Sequence, residues 1–160
     1  MMKHDQGISY KLRKVDEKDM ELLFAWANDP DVRNNSMNTG KIFFNEHKQW
    51  FRKKIRSSHC VMFILETEGE PAGQARFDFD NIEQGWKVDY SVAKKFRGKG
   101  LAKILLTEAM HLHNQFPVVG YVKENNKRSS SVFISLGFTD KGINKIENTK
   151  VIKYSKDATV

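Results

Sequence analysis

The chain has 160 residues, 27 Lys and Arg against 20 Asp and Glu, a formal charge of +7 and a single cysteine. That length suits one domain with a full core and crowds two, so residues 1–160 are read as a single domain with its core at 8–154. No apolar stretch approaches the roughly 20 residues that cross a bilayer and residues 1–7 are polar rather than leader-like, which excludes a membrane-spanning reading and sets a cytoplasmic location as the expectation.

Residues 8–15 read as a first strand. Asp16 can cap a helix in which Met20, Leu23, Phe24 and Ala27 recur at helical spacing. Asn28-Asp29-Pro30 is expected to end that helix, and residues 31–40 to form a polar loop. A second helix follows over about 45–56, with His47, Trp50, Phe51 and Lys54 on one face. Residues 60–67 then read as a strand. Its Cys60 sits beside Val61, Met62 and Phe63 as an inert, buried thiol rather than a nucleophile. The turn 68–71 and the alternation of Ala75, Phe77 and Phe79 with Gln74, Arg76 and Asp78 predict a hairpin. A third strand of this meander covers 86–93.

Arg97-Gly98-Lys99-Gly100-Leu101-Ala102 comes immediately after that strand and opens a helix at 101–113. Glycines admit backbone angles closed to other residues and let a ligand come close to the peptide N–H groups. The helix dipole adds about half a positive charge there. Such a turn suits a pyrophosphate. It is neither G-x-x-x-x-G-K-[ST] nor a full G-x-G-x-x-G with a later acidic residue, which disfavours an ATPase or a nicotinamide dehydrogenase. Pro117 introduces a strand at 118–122, and Asn125 or Asn126 caps a helix that Gly137 terminates. Short strands at 138–140 and 150–154 close the order β-α-α-β-β-β-α-β-α-β-β.

The basic balance favours an anionic ligand: a nucleotide cofactor, a sugar nucleotide or RNA. No strand-borne aromatic platform is interleaved with the basic residues, so nucleic acid is not expected. The five histidines fall on separate elements or, for His111 and His113, diverge on one helix, so no metal is expected either.

Two motifs, in order and on the right elements, resemble the GCN5-related N-acetyltransferase family. Its R/Q-x-x-G-x-G/A turn is met by Arg97, Gly100 and Ala102. Its asparagine-capped helix is met by Asn126 and Ser129, followed by Phe133 and Leu136-Gly137-Phe138. The resemblance covers residues 8–154 and implies an α/β (α+β) fold, a mixed central sheet of six to seven strands with about four helices. It implies acetyl-CoA as acetyl donor, held by Val92, by the turn Arg97, Gly98, Lys99, Gly100, Leu101 and Ala102, and by Asn126 and Ser129, although Asn126 could equally serve as a helix cap. It implies an oxyanion site at the backbone N–H of Tyr90.

The family's usual acid is a tyrosine where this chain has Phe133. Tyr90, Tyr121 or water then supplies the proton, the thiolate leaves unprotonated, or the protein only binds acyl-CoA. Glu83 and Asp89 are the carboxylates near enough in sequence to act as base. Trp26, Arg33, His47 and Trp50 are expected to read a small-molecule amine acceptor, because residues 26–33 and His47-x-x-Trp50 resemble the amino-sugar N-acetyltransferases of pseudaminic- and legionaminic-type pathways. Ribosomal-protein acetyltransferases are a looser likeness. Monomer and homodimer both fit.

Overall fold

The computed structural model describes residues 2, 3, 7 and 9–159, so Ile8 and His4 lie outside the described residues. Along the chain come β1 (Met2–Lys3), β2 (Ser9–Lys14), a 3-10 turn (Glu17–Asp19), α1 (Met20–Ala27), α2 (Pro30–Asn35) and α3 (Phe44–Ile55). The meander β3 (Cys60–Thr67), β4 (Glu70–Asp80) and β5 (Gly85–Val92) follows. After a 3-10 turn (Lys94–Phe96) come α4 (Leu101–His113), β6 (Val118–Lys123), α5 (Lys127–Ser135), β7 (Thr139–Ile146) and β8 (Thr149–Lys156). All the strands join one mixed sheet in the order β1-β2-β3-β4-β5-β6-β8-β7. The expected architecture is present, with two additions: the two-residue β1 and the helix α2.

Strand side chains alternate between faces, and the registers show what each face carries. Phe63, Leu65, Ala75, Phe77, Trp86 and Val88 are buried on one side in a core that includes Leu105, Leu106 and Ala109 of α4 and Phe133 of α5. On the other side Cys60, Met62 and Ile64 of β3 bury Leu23 of α1 and Phe51 of α3. Phe51 is 1% exposed, a burial that contributes about 1.5–3 kcal/mol.

Two readings from sequence need correction. The first helix does end where expected, with Asn28 as its C-cap, but residues 31–40 are not all loop, because Pro30 starts α2. Asp29 is the N-cap of α2, its Oδ1 accepting the N–H groups of Asp31 and Val32 at 3.0 and 3.4 Å, and Pro30 occupies the first turn, where its missing N–H costs nothing. The closing strands are also longer than 138–140 and 150–154. They form a hairpin through Glu147 and Asn148, whose φ values of 46° and 69° match a two-residue type I′ turn. Nearly all of β7 is exposed, so it shows no apolar alternation from which a strand could be read.

The feature that positions the site is the junction of β5 and β6. They run parallel and pair at only two rungs, Trp86 with Val118 and Lys87 with Val119. Beyond these the strands part.

Candidate active site

A cleft of about 1390 Å³ opens where β5 and β6 separate. Strand parity decides which backbone groups face it. Trp86 N–H bonds Pro117 O across the junction at 2.8 Å, and Ala93 N–H bonds Ala72 O on the opposite side, also at 2.8 Å. Amides two residues apart point the same way, so the N–H groups of Val88, Tyr90 and Val92 face the β6 side. For Tyr90 and Val92 no strand stands opposite. This places the Tyr90 N–H, the expected oxyanion donor, at the open edge.

The glycine turn borders the same cleft. Gly98 and Gly100 have φ of +78° and +74°, and a Cβ built at either meets nothing within 4 Å. Gly100 is the N-cap of the 13-residue α4 and lends no side chain to its free amides. Open space, uncapped N–H groups and the helix dipole together fit an anionic group. Leu101 is buried beneath the turn and Ala102 lines the cleft. Lys99 is exposed, its Nζ 5.6 Å from the Phe96 ring centre.

Arg97 borders the cleft as well. Its guanidinium is turned toward the protein: Nε donates to Val92 O at 2.9 Å, Nη1 to Asp31 Oδ2 at 2.9 Å and Nη2 to Asp29 Oδ1 at 3.1 Å. Burial pushes the Asp29 carboxyl up, but the Arg97 guanidinium and two backbone amides outweigh it and hold that carboxyl below its ordinary range.

On α5, Asn126 is the N-cap, its Oδ1 accepting Ser129 N–H at 3.2 Å. Ser129 Oγ lies 2.8 Å from the Tyr90 hydroxyl. Burial raises the Tyr90 phenol above its ordinary range, partly offset by that hydrogen bond, so it keeps its proton at neutral pH. The ring of Phe133 is 2% exposed, stacks on Tyr154 at 5.6 Å and comes within 2.6 Å of where a Cβ on Gly120 would be. Glycine at 120 is what lets that ring lie against β6.

The face of the sheet toward α1 and α3 is polar where it reaches the cleft. The β4–β5 register sets Gln74 opposite Ser91, Arg76 opposite Asp89 and Asp78 opposite Lys87. Asp78 is neutralised by Lys54 and Arg76, each at 2.7 Å. Asp89 is 57% exposed, 3.7 Å from Arg76, and receives the Gln74 amide at 3.2 Å. Arg76 lies 5.0 Å from the ring centre of Trp50.

The other expected residues separate into two groups. Trp26, Arg33, His47 and Trp50 all border the cleft, and of these Trp50 packs beside its polar wall, with Arg76 over its ring. His47 is 4% exposed among Phe24, Trp50 and Phe51. Its Nε2 donates to Met20 O at 3.0 Å, and burial holds the imidazole below its usual range. Arg33 is spent on the chain itself, donating to Ala27 O, Asn38 O, Gly40 O and Ser36 Oγ. Glu83 lies outside the cleft lining: one carboxylate oxygen takes the Tyr121 hydroxyl and the other Lys153 Nζ at 2.6 Å. These partners hold its carboxyl below the ordinary range.

Sequence reading missed Gln74 and Arg76 as site residues. The only signal was cross-strand register, which a sequence does not print. Among the described residues, no group of three or more His, Cys, Asp or Glu converges as a metal site would, and no helix is long and apolar enough to cross a membrane.

A model of the acetyltransferase (GNAT) domain matches residues 10–139. No curated protein matches the chain. Among solved structures it is similar to a spermidine N-acetyltransferase from Vibrio cholerae in complex with CoA and spermine, with 16% identity, 92% of this chain and 95% of that one covered, and a TM-score of 0.81. It is similar to an uncharacterized protein from Bacillus halodurans, with 16% identity, 98% and 88% covered, and a TM-score of 0.84. A ribosomal L7/L12 α-N-protein acetyltransferase in complex with coenzyme A gives 17% identity, 93% and 94% covered, and a TM-score of 0.75. At these identities the likeness is one of fold.

Proposed function

Since the chain belongs to the acetyltransferase (GNAT) domain family, we propose that it is an acetyl-CoA-dependent N-acetyltransferase whose acceptor is a primary amine on a small, nucleotide-linked sugar. The observation that carries this reading is the open β5 edge, where the Tyr90 N–H faces a cleft bordered by an uncapped glycine turn. Bound there, acetyl-CoA supplies an activated thioester. The amides of the turn and of α4 would hold its pyrophosphate, Val92 N–H and α5 its pantetheine arm, and Tyr90 N–H the oxygen on which negative charge develops.

Asp89 is the residue to receive the amine. Glu83 is occupied elsewhere, and Asp78 is shared by two cations. Asp89 is one residue from the oxyanion donor and keeps exposed carboxylate surface. It can bind an ammonium and take its proton. A lysine-like amine costs about 4–5 kcal/mol to deprotonate at pH 7, an amine of pKa near 8 about 1–1.5 kcal/mol. A single weak carboxylate therefore suits the second kind. For the leaving sulfur, Tyr90 Oη holds a proton and rests on Ser129, whereas the Tyr121 hydroxyl is committed to Glu83.

The polar wall supports a sugar over a polycation. On this face of the sheet Asp89 is held loosely, by Arg76 at 3.7 Å and the Gln74 amide, and keeps an exposed carboxylate, which suits one amine rather than several. Gln74, Arg76 and the Trp50 ring offer hydrogen bonds beside an apolar surface, the combination that a hydroxylated ring uses.

The deciding experiment follows thiol release from acetyl-CoA with UDP-amino sugars, N-terminal peptides and polyamines in parallel. Release with an amino sugar at least about tenfold above the rest in kcat/KM supports the reading. Preference for peptides overturns the sugar assignment, and no thermal stabilisation by acetyl-CoA overturns the donor.

A further inference from the structure

The helix α2 connects the two arms of the cleft. Its N-terminal end is tied to the turn after β5, through Arg97 to Asp29 and Asp31. Its C-terminal end is tied to the last residue of β6, Lys123 Nζ donating to Asn34 O at 2.9 Å. Between these pins the helix is braced from within. Arg33 draws in the carbonyls of Ala27, Asn38 and Gly40, and Ser36 Oγ donates to Val32 O at 2.6 Å. Asn28 exchanges two hydrogen bonds of 2.8 Å with the backbone of Ile42, closing the segment at its base. Asp31, Val32, Asn35 and Met37 border the cleft.

We propose that residues 29–37 form a strap pinned across the separated ends of β5 and β6, and that Arg97 and Lys123 are positioning residues for the amine acceptor rather than ligands of the donor's phosphates. The proposal rests on the acetyltransferase reading for which ligand the strap shapes, but not for the strap itself. Arg97 occupies the family's phosphate turn, yet all three guanidinium nitrogens are engaged, two of them by carboxylates. Releasing them for a phosphate would leave Asp29, 18% exposed, without its cation. Phosphate binding then falls to the turn's backbone, and the side chain holds the acceptor wall at a fixed distance from β5. The pins are charge-assisted hydrogen bonds, stronger than neutral ones, and they join segments 66 and 89 residues apart in sequence.

The tests are Arg97→Gln, which keeps the backbone N–H of the turn, and Lys123→Met, which keeps the aliphatic stem. Hydrogen exchange of residues 29–37 in the ligand-free protein is expected to accelerate at least about tenfold in each variant while the β3 and β4 amides keep their rates. With acetyl-CoA and the best amine from the panel, KM for the amine is expected to rise about tenfold, with Kd for CoA within about threefold of the parent. Unchanged exchange at 29–37 in both variants overturns the strap. A tenfold loss of CoA affinity in Arg97→Gln with unchanged amine KM returns Arg97 to the phosphate site. If no amine is acetylated by the parent protein, the functional reading fails while the exchange experiment still decides the strap.

Discussion

The β5–α4 turn and the segment joining α1 to α3 border the same cleft but are built by opposite means. The turn is local: two left-handed glycines, an uncapped helix and the end of one strand, all within about a dozen residues. The segment across from it is held by partners far along the chain, Arg97 for Asp31 and Lys123 for Asn34. A local device keeps its shape through substitution elsewhere and is fixed by residue type. A device assembled from distant pins is adjustable, since either end can change without rebuilding the sheet. Under the proposed function the local part receives the donor and the pinned part faces the acceptor.

The most severe way to break this division is Gly100→Glu. It fills open space with a carboxylate beside the α4 amides and strains a φ of +74°. CoA affinity measured by calorimetry is expected to fall by about 100-fold or more, about 2.7 kcal/mol, while circular dichroism stays native. Retained affinity would detach the turn from the donor.

Between the two regions lies β5, where the proposed function puts the chemistry. Asp89→Asn is expected to lower kcat/KM by about 10²–10³, and Tyr90→Phe to lower kcat by about 10² with little change in KM, both in steady-state kinetics. Glu83→Gln, outside the cleft, serves as the control. Activity lost in Glu83→Gln and kept in Asp89→Asn would reverse the assignment.

The smallest expected effect concerns stability on acidification. His113 is 8% exposed against the rings of Phe77 and Trp86, its Nε2 buried without a hydrogen-bond partner. Burial holds both His113 and His47 below the ordinary histidine range. The unfolded chain therefore takes up protons near pH 6.5 that the folded chain refuses, and stability falls as pH drops from about 6.5 toward the lower folded values. Urea melts at pH 7.5 and 5.5 should show a loss that is smaller in His113→Phe. An equal loss in parent and variant would remove His113 as a contributor.

The order of elements was legible because most of them announce themselves locally. β3 and α4 were read at their observed bounds, since their apolar patterns stop at turn residues. The direction of the Tyr90 N–H follows from parity once the strand is known, while its expected oxyanion role came from the family resemblance. The acceptor side was less legible. Asn28-Asp29-Pro30 ends α1 as expected and also starts α2, and only the capping bonds show the second. Arg33 beside Trp26 looked like a ligand contact, but the carbonyls that consume it come from a loop whose path no periodicity encodes. Gln74 and Arg76 read as the outward half of a hairpin. They become part of a site only because β5 brings Ser91 and Asp89 opposite them.

The two-rung junction of β5 and β6 also leaves a template. At the apex the gap is one strand spacing, about 4.8 Å, and past it the Tyr90 and Val92 amides have no strand opposite. A bare strand edge bonds any extended chain that brings carbonyls to it, and because the side chains of such a chain stand off the sheet faces rather than in its plane, the edge itself asks only for a backbone-like row of acceptors.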